Sequence, residues 1–181
     1  TVALDVETGE LVWYFQELPA DDWDADHNQE RILVRTRVSP DPQFVKWINP
    51  ALTPGTVQDV VITVGEGGGM FAVARETGQF LWARPFPFDD PNLNMSIVDV
   101  TTGQTSVNPD KLFKEDGDSV IGCYHNTRGL WQIAYHPGKN AIYVPFHDQC
   151  LTMEAANDSA RGYGVRTGVL RPGADPNEYM G

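Results

Sequence analysis

Along most of this chain, apolar and polar residues alternate in short runs closed by turn residues, the pattern of half-buried β-strands rather than of helices. The clearest run is Ala3-Leu4-Asp5-Val6-Glu7-Thr8-Gly9-Glu10-Leu11-Val12-Trp13. It reads as strand, tight turn, strand, with the Thr-Gly pair supplying the positive φ that a tight turn needs. The same pattern, A-x-D/A-x-x-T-G-x-x-x-W, returns from Ala72 to Trp82 with every marked position kept. A weaker third copy, Ile97 to Gln104, keeps the Asp and the Thr-Gly but has Val107 where the Trp would stand, and reads as a hairpin at least.

A Trp at a fixed place in successive hairpins can pack on its neighbour's turn, which is how the blades of a β-propeller are tied together. The alternative is a pair of unrelated hairpins with the same turn. Other strand signals agree with an all-β chain. Val60-Val61-Ile62-Thr63-Val64 precedes the glycine run Gly65-Glu66-Gly67-Gly68-Gly69, and Trp131 to Tyr135 leads into a Pro137-Gly138-Lys139-Asn140 turn and then Ala141 to Val144. One short helix is expected over Asp41 to Ile48, with Phe44, Val45, Trp47 and Ile48 as its buried side, ending before Asn49-Pro50. Residues 155–181, rich in Gly, Arg, Asp and Pro, read as a loop-rich tail.

With 181 residues, 41% of them hydrophobic, the chain is long enough for one domain with a sizeable core. No apolar run suggests a membrane span, and the opening on Thr1-Val2-Ala3 has the character of an internal segment. The net charge of -12 argues against nucleic acid or an anionic membrane as partner and favours cations or basic proteins. The same charge also serves solubility. Cys123 and Cys150 would pair in an exported protein, contributing on the order of 3 kcal/mol in the chain-entropy model, or would stay as buried thiols. No CxxC or CxxCH signals a zinc ribbon or attached haem.

The acidity concentrates in Asp21-Asp22-Trp23-Asp24-Ala25-Asp26. Carboxylates this close repel one another unless a cation or hydrogen-bond donors compensate. On an extended strand Asp22, Asp24 and Asp26 would share a face and offer hard oxygen donors to calcium or a trivalent ion of similar size. An EF-hand is excluded, because His27 and Leu33 would stand where its Gly and closing Glu belong. An exposed acidic loop with Asp21 or Asp22 capping a turn is the plainer alternative. A carboxylate beside a metal could also take the proton of a substrate hydroxyl. The glycine run lacks the Lys-Ser/Thr of a phosphate loop and suits turn-making or a close backbone approach to a flat ligand. His27, His125, His136 and His147 show no metal-ligand spacing and receive no role.

Taken together, these motifs resemble the pyrroloquinoline-quinone (PQQ)-dependent alcohol dehydrogenases. Ala3 to Trp13 is close to their tryptophan docking motif, Trp23-Asp24-Ala25-Asp26 matches their W-D-x-D segment, and Gly65 to Trp82 and Tyr135 to Cys150 follow in order and spacing. The resemblance implies a sector of an eight-bladed β-propeller spanning 1–181, periplasmic, with PQQ and a calcium or lanthanide ion as cofactors. It implies Asp24 as catalytic base and metal ligand, and Asp26 as the further metal ligand of the lanthanide-type branch. Asn126 and Trp131 fall near the Asn and Trp that line the cofactor, and Glu66 stands where the family usually has Lys or Arg. The implied reaction is alcohol oxidation, with the hydroxyl proton passing to Asp24, hydride to PQQ and electrons to a cytochrome-like acceptor. The family's upstream metal-ligand Glu and Asn have no counterpart here, so the remaining blades would have to complete the site. The competing expectation is a non-catalytic propeller scaffold.

Overall fold

The computed structural model describes residues 1–23, 25–27, 29–66, 69–85, 95–122, 131–145, 150–155 and 166–169. These residues are strands and turns, with one short 3-10 turn at Pro109–Lys111 and no α-helix among them. The hairpin of β1 (Val2–Leu4) and β2 (Leu11–Tyr14) comes first. The central sheet follows, built from β3 (Ile32–Val38), β4 (Trp47–Ile48), β5 (Thr56–Val64), β6 (Gly69–Ala74) and β7 (Phe80–Pro85) in the order β3-β5-β6-β7-β4. A second hairpin pairs β8 (Met95–Asp99) with β9 (Gln104–Val107). Then come β10 (Ser119–Gly122), β11 (Ala134–His136), β12 (Ala141–Tyr143), β13 (Cys150–Glu154) and β14 (Arg166–Val169). Of these, β10-β13-β14 form a sheet and β11-β12 a hairpin. Every pairing is antiparallel.

The central sheet is apolar on both faces, and the two-residue period of its strands sorts the side chains into two cores. Val61, Phe71, Val73, Phe80 and Ala83 join Phe15, Trp47 and Ile97 in one. Val60, Ile62, Ala72 and Leu81 join Val38 in the other, flanked by Trp82 and Ile142. The alternation breaks once, where Ala72 pairs with Trp82 and Val73 with Phe80, so that Leu81 is the extra residue of a β-bulge. Leu81 and Trp82 therefore turn to the same side, which strict alternation forbids. Four antiparallel strands with both faces covered are what a propeller blade requires.

All three repeat turns are closed alike. Gly9, Gly78 and Gly103 adopt φ of 74°, 70° and 78°, and their N–H groups donate to Asp5, Ala74 and Asp99 carbonyls at 2.8, 2.9 and 2.7 Å. In each, the Thr hydroxyl accepts from the N–H two residues on, at 3.2 Å. The third copy is thus the same device. The Trp of the first copy does pack on the second turn: its indole N–H donates to the Arg75 carbonyl at 2.9 Å, and a Cβ on Gly78 would stand 2.7 Å from ring atoms of Trp13. The step from second to third copy differs, because Phe80 rather than Trp82 covers Gly103, and Asn49 bonds the carbonyls of both Phe80 (2.8 Å) and Thr101 (3.0 Å). Trp82 instead lines a pocket with Val60, Ile62, Tyr135 and Ile142.

The helix expected over Asp41 to Ile48 is a single turn. Asp41 holds the N–H groups of Gln43, Phe44 and Val45, after which Trp47 and Ile48 pair with Ala83 and Trp82 as β4. Burial of Trp47 against the sheet, with its backbone in the ladder, outweighs the helical periodicity; Phe44 stays 57% exposed. The strand expected from Trp131 begins only at Ala134. Within the tail, β14 pairs with β13. Cys150 is buried and disulfide-bonded, and the only other cysteine of the chain, Cys123, lies outside the described residues.

Replacing Gly78 by Ala should cost about 2–4 kcal/mol, because it combines a positive φ with overlap of the Trp13 ring, and Trp13→Ala should cost a comparable amount. Denaturant midpoints of the full-length protein check both. The Asp5 carboxyl is held below its ordinary range by the N–H of Thr8 first, and Asp99 likewise by that of Thr101. A lowered folded pKa means that the turn's stabilisation is full above the ordinary carboxylate value and fades as pH falls through the folded one. Carboxyl NMR titration should show Asp5 and Asp99 ionising at lower pH than in peptides.

Candidate functional site at the aspartate segment

The aspartate segment is not an extended strand but a bent connection between β2 and β3, and its two apolar residues hold it down. Trp23 and Ala25 are 1% and 3% exposed, packed with Leu151 and Met153 of β13 and with Leu18, Val107 and Val120 around them. The Trp23 indole N–H donates to the Lys111 carbonyl at 2.7 Å, in the 3-10 turn that Asn108 caps. Asp21, Asp22 and Asp26 are exposed. Asp21 works as a local cap, its carboxylate accepting from the N–H of Trp23 at 2.9 Å and of Ala25 at 3.0 Å. The extended strand on which three aspartates would share a face is therefore not formed at the described residues around Asp24. Asp24 and Asn126, the expected base and one expected cofactor contact, lie outside the described residues, as do His125 and His147.

The segment meets the end of β5. The Glu66 N–H donates to the Asp26 carbonyl at 2.8 Å, so the structure brings two of the expected site residues together. Glu66 is 7% exposed, a buried acid in the glycine run. Next along, the His27 ring lies on Gly65: a Cβ there would overlap ring atom Nδ1 and stand 2.7 and 2.8 Å from Cε1 and Cγ. Neither ring nitrogen of His27 has surface or a hydrogen-bond partner among the described residues. An unpaired buried polar group costs about 1–3 kcal/mol. Burial pushes the imidazole below its usual range; Arg31 acts in the same direction, and Glu17 and Asp21 oppose it. Arg31 secures the following residues, donating to the His27 carbonyl at 2.6 Å and to that of Gln29, with the buried Glu17 3.8 Å away.

Trp131 is 41% exposed and stands two residues before Ile133, whose N–H donates to Glu30 of the same connection. His136 sits in the β11-β12 turn, where its Nδ1 accepts from Lys139. Sequence reading passed over His27, Arg31 and Glu17. His27 follows directly on Asp26, which was the available signal, but metal-ligand spacing was the wrong test for a ring that serves by packing. No three His, Cys, Asp or Glu side chains among the described residues form a group able to hold a metal. The donors that are present, an exposed Asp26 and a buried Glu66 joined through backbone, suit a hard cation in kind but not in number.

No protein-family profile matches the chain. It is 26% identical over 179 residues to the dehydrogenase subunit of the alcohol dehydrogenase (quinone) of Acetobacter aceti, covering 96% of this chain and 20% of that protein. The corresponding subunit of Gluconobacter oxydans is 23% identical over 164 residues, covering 90% and 19%. Along most of its length the chain is similar to quinone-dependent alcohol dehydrogenases. It spans about a fifth of the length of these relatives. The structure of a europium-containing methanol dehydrogenase superposes on 93% of this chain and 27% of its own, with a TM-score of 0.70 at 20% identity. That likeness shows the fold, a sector of a β-propeller.

Trp23→Phe should keep the packing but strand the Lys111 carbonyl, lowering stability by about 1–3 kcal/mol in equilibrium unfolding.

Proposed function

We propose that the chain is one sector of a periplasmic quinoprotein dehydrogenase that oxidises alcohols, and that the aspartate segment supplies one side of its site for PQQ and a calcium or lanthanide ion. The observation that carries this reading is the backbone bond from Glu66 to Asp26, which seats the W-D-x-D segment on the glycine run. Similarity to quinone-dependent alcohol dehydrogenases supports it, as does likeness of fold to a europium-containing methanol dehydrogenase.

In this reading Asp24 and Asp26 give carboxylate oxygens to the cation. Asp24 is also the base that takes the hydroxyl proton of the alcohol, while Asn126, Trp131 and Glu66 border the cofactor. The metal-held quinone, when bound, supplies the hydride acceptor and the Lewis acidity. The chain's own part is to hold the carboxylates where they are needed. Asp21 spends its charge on two backbone N–H groups, and Trp23 and Ala25 are buried beneath, so the exposed Asp26 is presented from a fixed base. Further metal ligands come from the remaining blades of the propeller. The exposed apolar residues of the first hairpin, Val2, Leu4, Leu11, Val12 and Tyr14, are then covered by the rest of their own blade. A net charge of -12 suits a basic cytochrome-like electron acceptor and no nucleic acid. No helix among the described residues is long and apolar enough to cross a membrane.

A non-catalytic propeller scaffold is the rival, and the buried Glu66 in place of a cation is the observation in its favour. The full-length protein reconstituted with PQQ and either calcium or a lanthanide should reduce a dye when given an alcohol; inactivity with every metal favours the scaffold. Asp26→Ala should weaken lanthanide-supported activity by about tenfold or more and calcium-supported activity less. Equal loss with both metals would refute Asp26 as the lanthanide-type ligand.

A further inference from the structure

Two consecutive residues of the aspartate segment meet two consecutive residues at the end of β5. Asp26 takes the Glu66 N–H through its carbonyl, and His27 lays its ring on Gly65. The first contact includes a backbone hydrogen bond of 2.8 Å at the end of a bent connection. The second is a ring face against bare backbone, so close that only glycine can occupy the other side: an added Cβ would stand within 3 Å of three ring atoms. Behind the ring, Arg31 grips the His27 carbonyl and is itself placed near the buried Glu17. The ring accepts this seat although neither nitrogen finds a partner among the described residues. What the ring does make at this place is the close contact of its face with the Gly65 backbone.

We propose that His27 is a positioning residue: seated on Gly65, its ring locks the Asp26–Glu66 contact and thereby fixes where the Asp26 carboxylate stands. The consequence for metal binding rests on the reading of Asp26 as a ligand; the lock itself does not. Gly65 acquires a specific reason to be glycine, independent of any approach by a flat cofactor. The neighbouring Glu66 is held buried by the same lock.

Hydrogen exchange of the peptide carrying Glu66, measured on the full-length protein, reads the lock directly. Terbium luminescence, titrated and timed in H2O and D2O, reads its effect on affinity and on the number of metal-bound waters. His27→Ala and Gly65→Ala should each speed exchange at Glu66 about tenfold or more while leaving the β6 interior unchanged. Each should also weaken terbium binding about tenfold and admit an additional water. His27→Phe, which keeps a flat ring and removes both nitrogens, should stay within about threefold of the parent in both measurements and should not unfold earlier. The proposal is overturned if His27→Ala leaves Glu66 exchange unchanged, or if His27→Phe behaves like His27→Ala, which would mean that the nitrogens matter and not the ring face. If Asp26→Ala leaves terbium binding intact while Glu66 exchange responds as expected, the ligand reading fails and the positioning role stands.

Discussion

A sheet that is apolar on both faces cannot stand alone, and the rest of this structure follows from that constraint. Val60 and Ile62 look one way from β5 and Val61 the other, so two separate cores must be closed by other parts of the chain. The first hairpin closes one side through Phe15 and Trp13, the hairpin of β8 and β9 joins it through Ile97, and Ile142 of β12 reaches the other side. The burial of each aliphatic side chain is worth a few kcal/mol, so covering both faces outweighs local preference wherever the two conflict. The region around Trp47 shows the conflict resolved, with a helical pattern giving way to a strand.

The aspartate segment inherits its position from this packing. It leaves the first hairpin just after Phe15, is pinned by Trp23 into a third core shared with β13, and returns to the central sheet at Gly65 and Glu66. Repulsion among its carboxylates is relieved in part by backbone: Asp21 accepts hydrogen bonds from two amides, while Asp22 and Asp26 are also exposed. A charge pattern read as one cluster is thus divided by the fold into a structural member and a candidate ligand.

Much of this was legible in the residues. The Thr-Gly turns, the strand at Val60 to Val64 and the packing of Trp13 on the second turn follow from local chemistry and from an internal repeat, which sequence displays directly. The third copy, expected as a hairpin although Val107 stands where the Trp would be, is one, and its Asp99 caps the turn as Asp5 caps the first, which Ala74 in the second cannot do. The role of Phe80 on Gly103 could not be read, because a one-residue bulge at Leu81 redirects the side chains around it. At the site, the pairing of Asp26 with Glu66 and the seat of His27 depend on residues far apart in the chain, and no periodicity marks them.

The bond from the Trp23 indole to the Lys111 carbonyl joins residues 88 positions apart. Closing so wide a loop costs chain entropy, which the burial of Trp23 and Ala25 in the third core offsets. The central sheet, with its neighbouring hairpins, can form from shorter loops. Bonds of still wider span, from Ile133 to Glu30 and between Thr36 and Asn140, tie the neighbouring chain to the region of the β11-β12 hairpin. In the proposed reading, a cation bound at this segment would help to hold such distant parts of the chain together, so that metal binding and closure of the fold would be coupled.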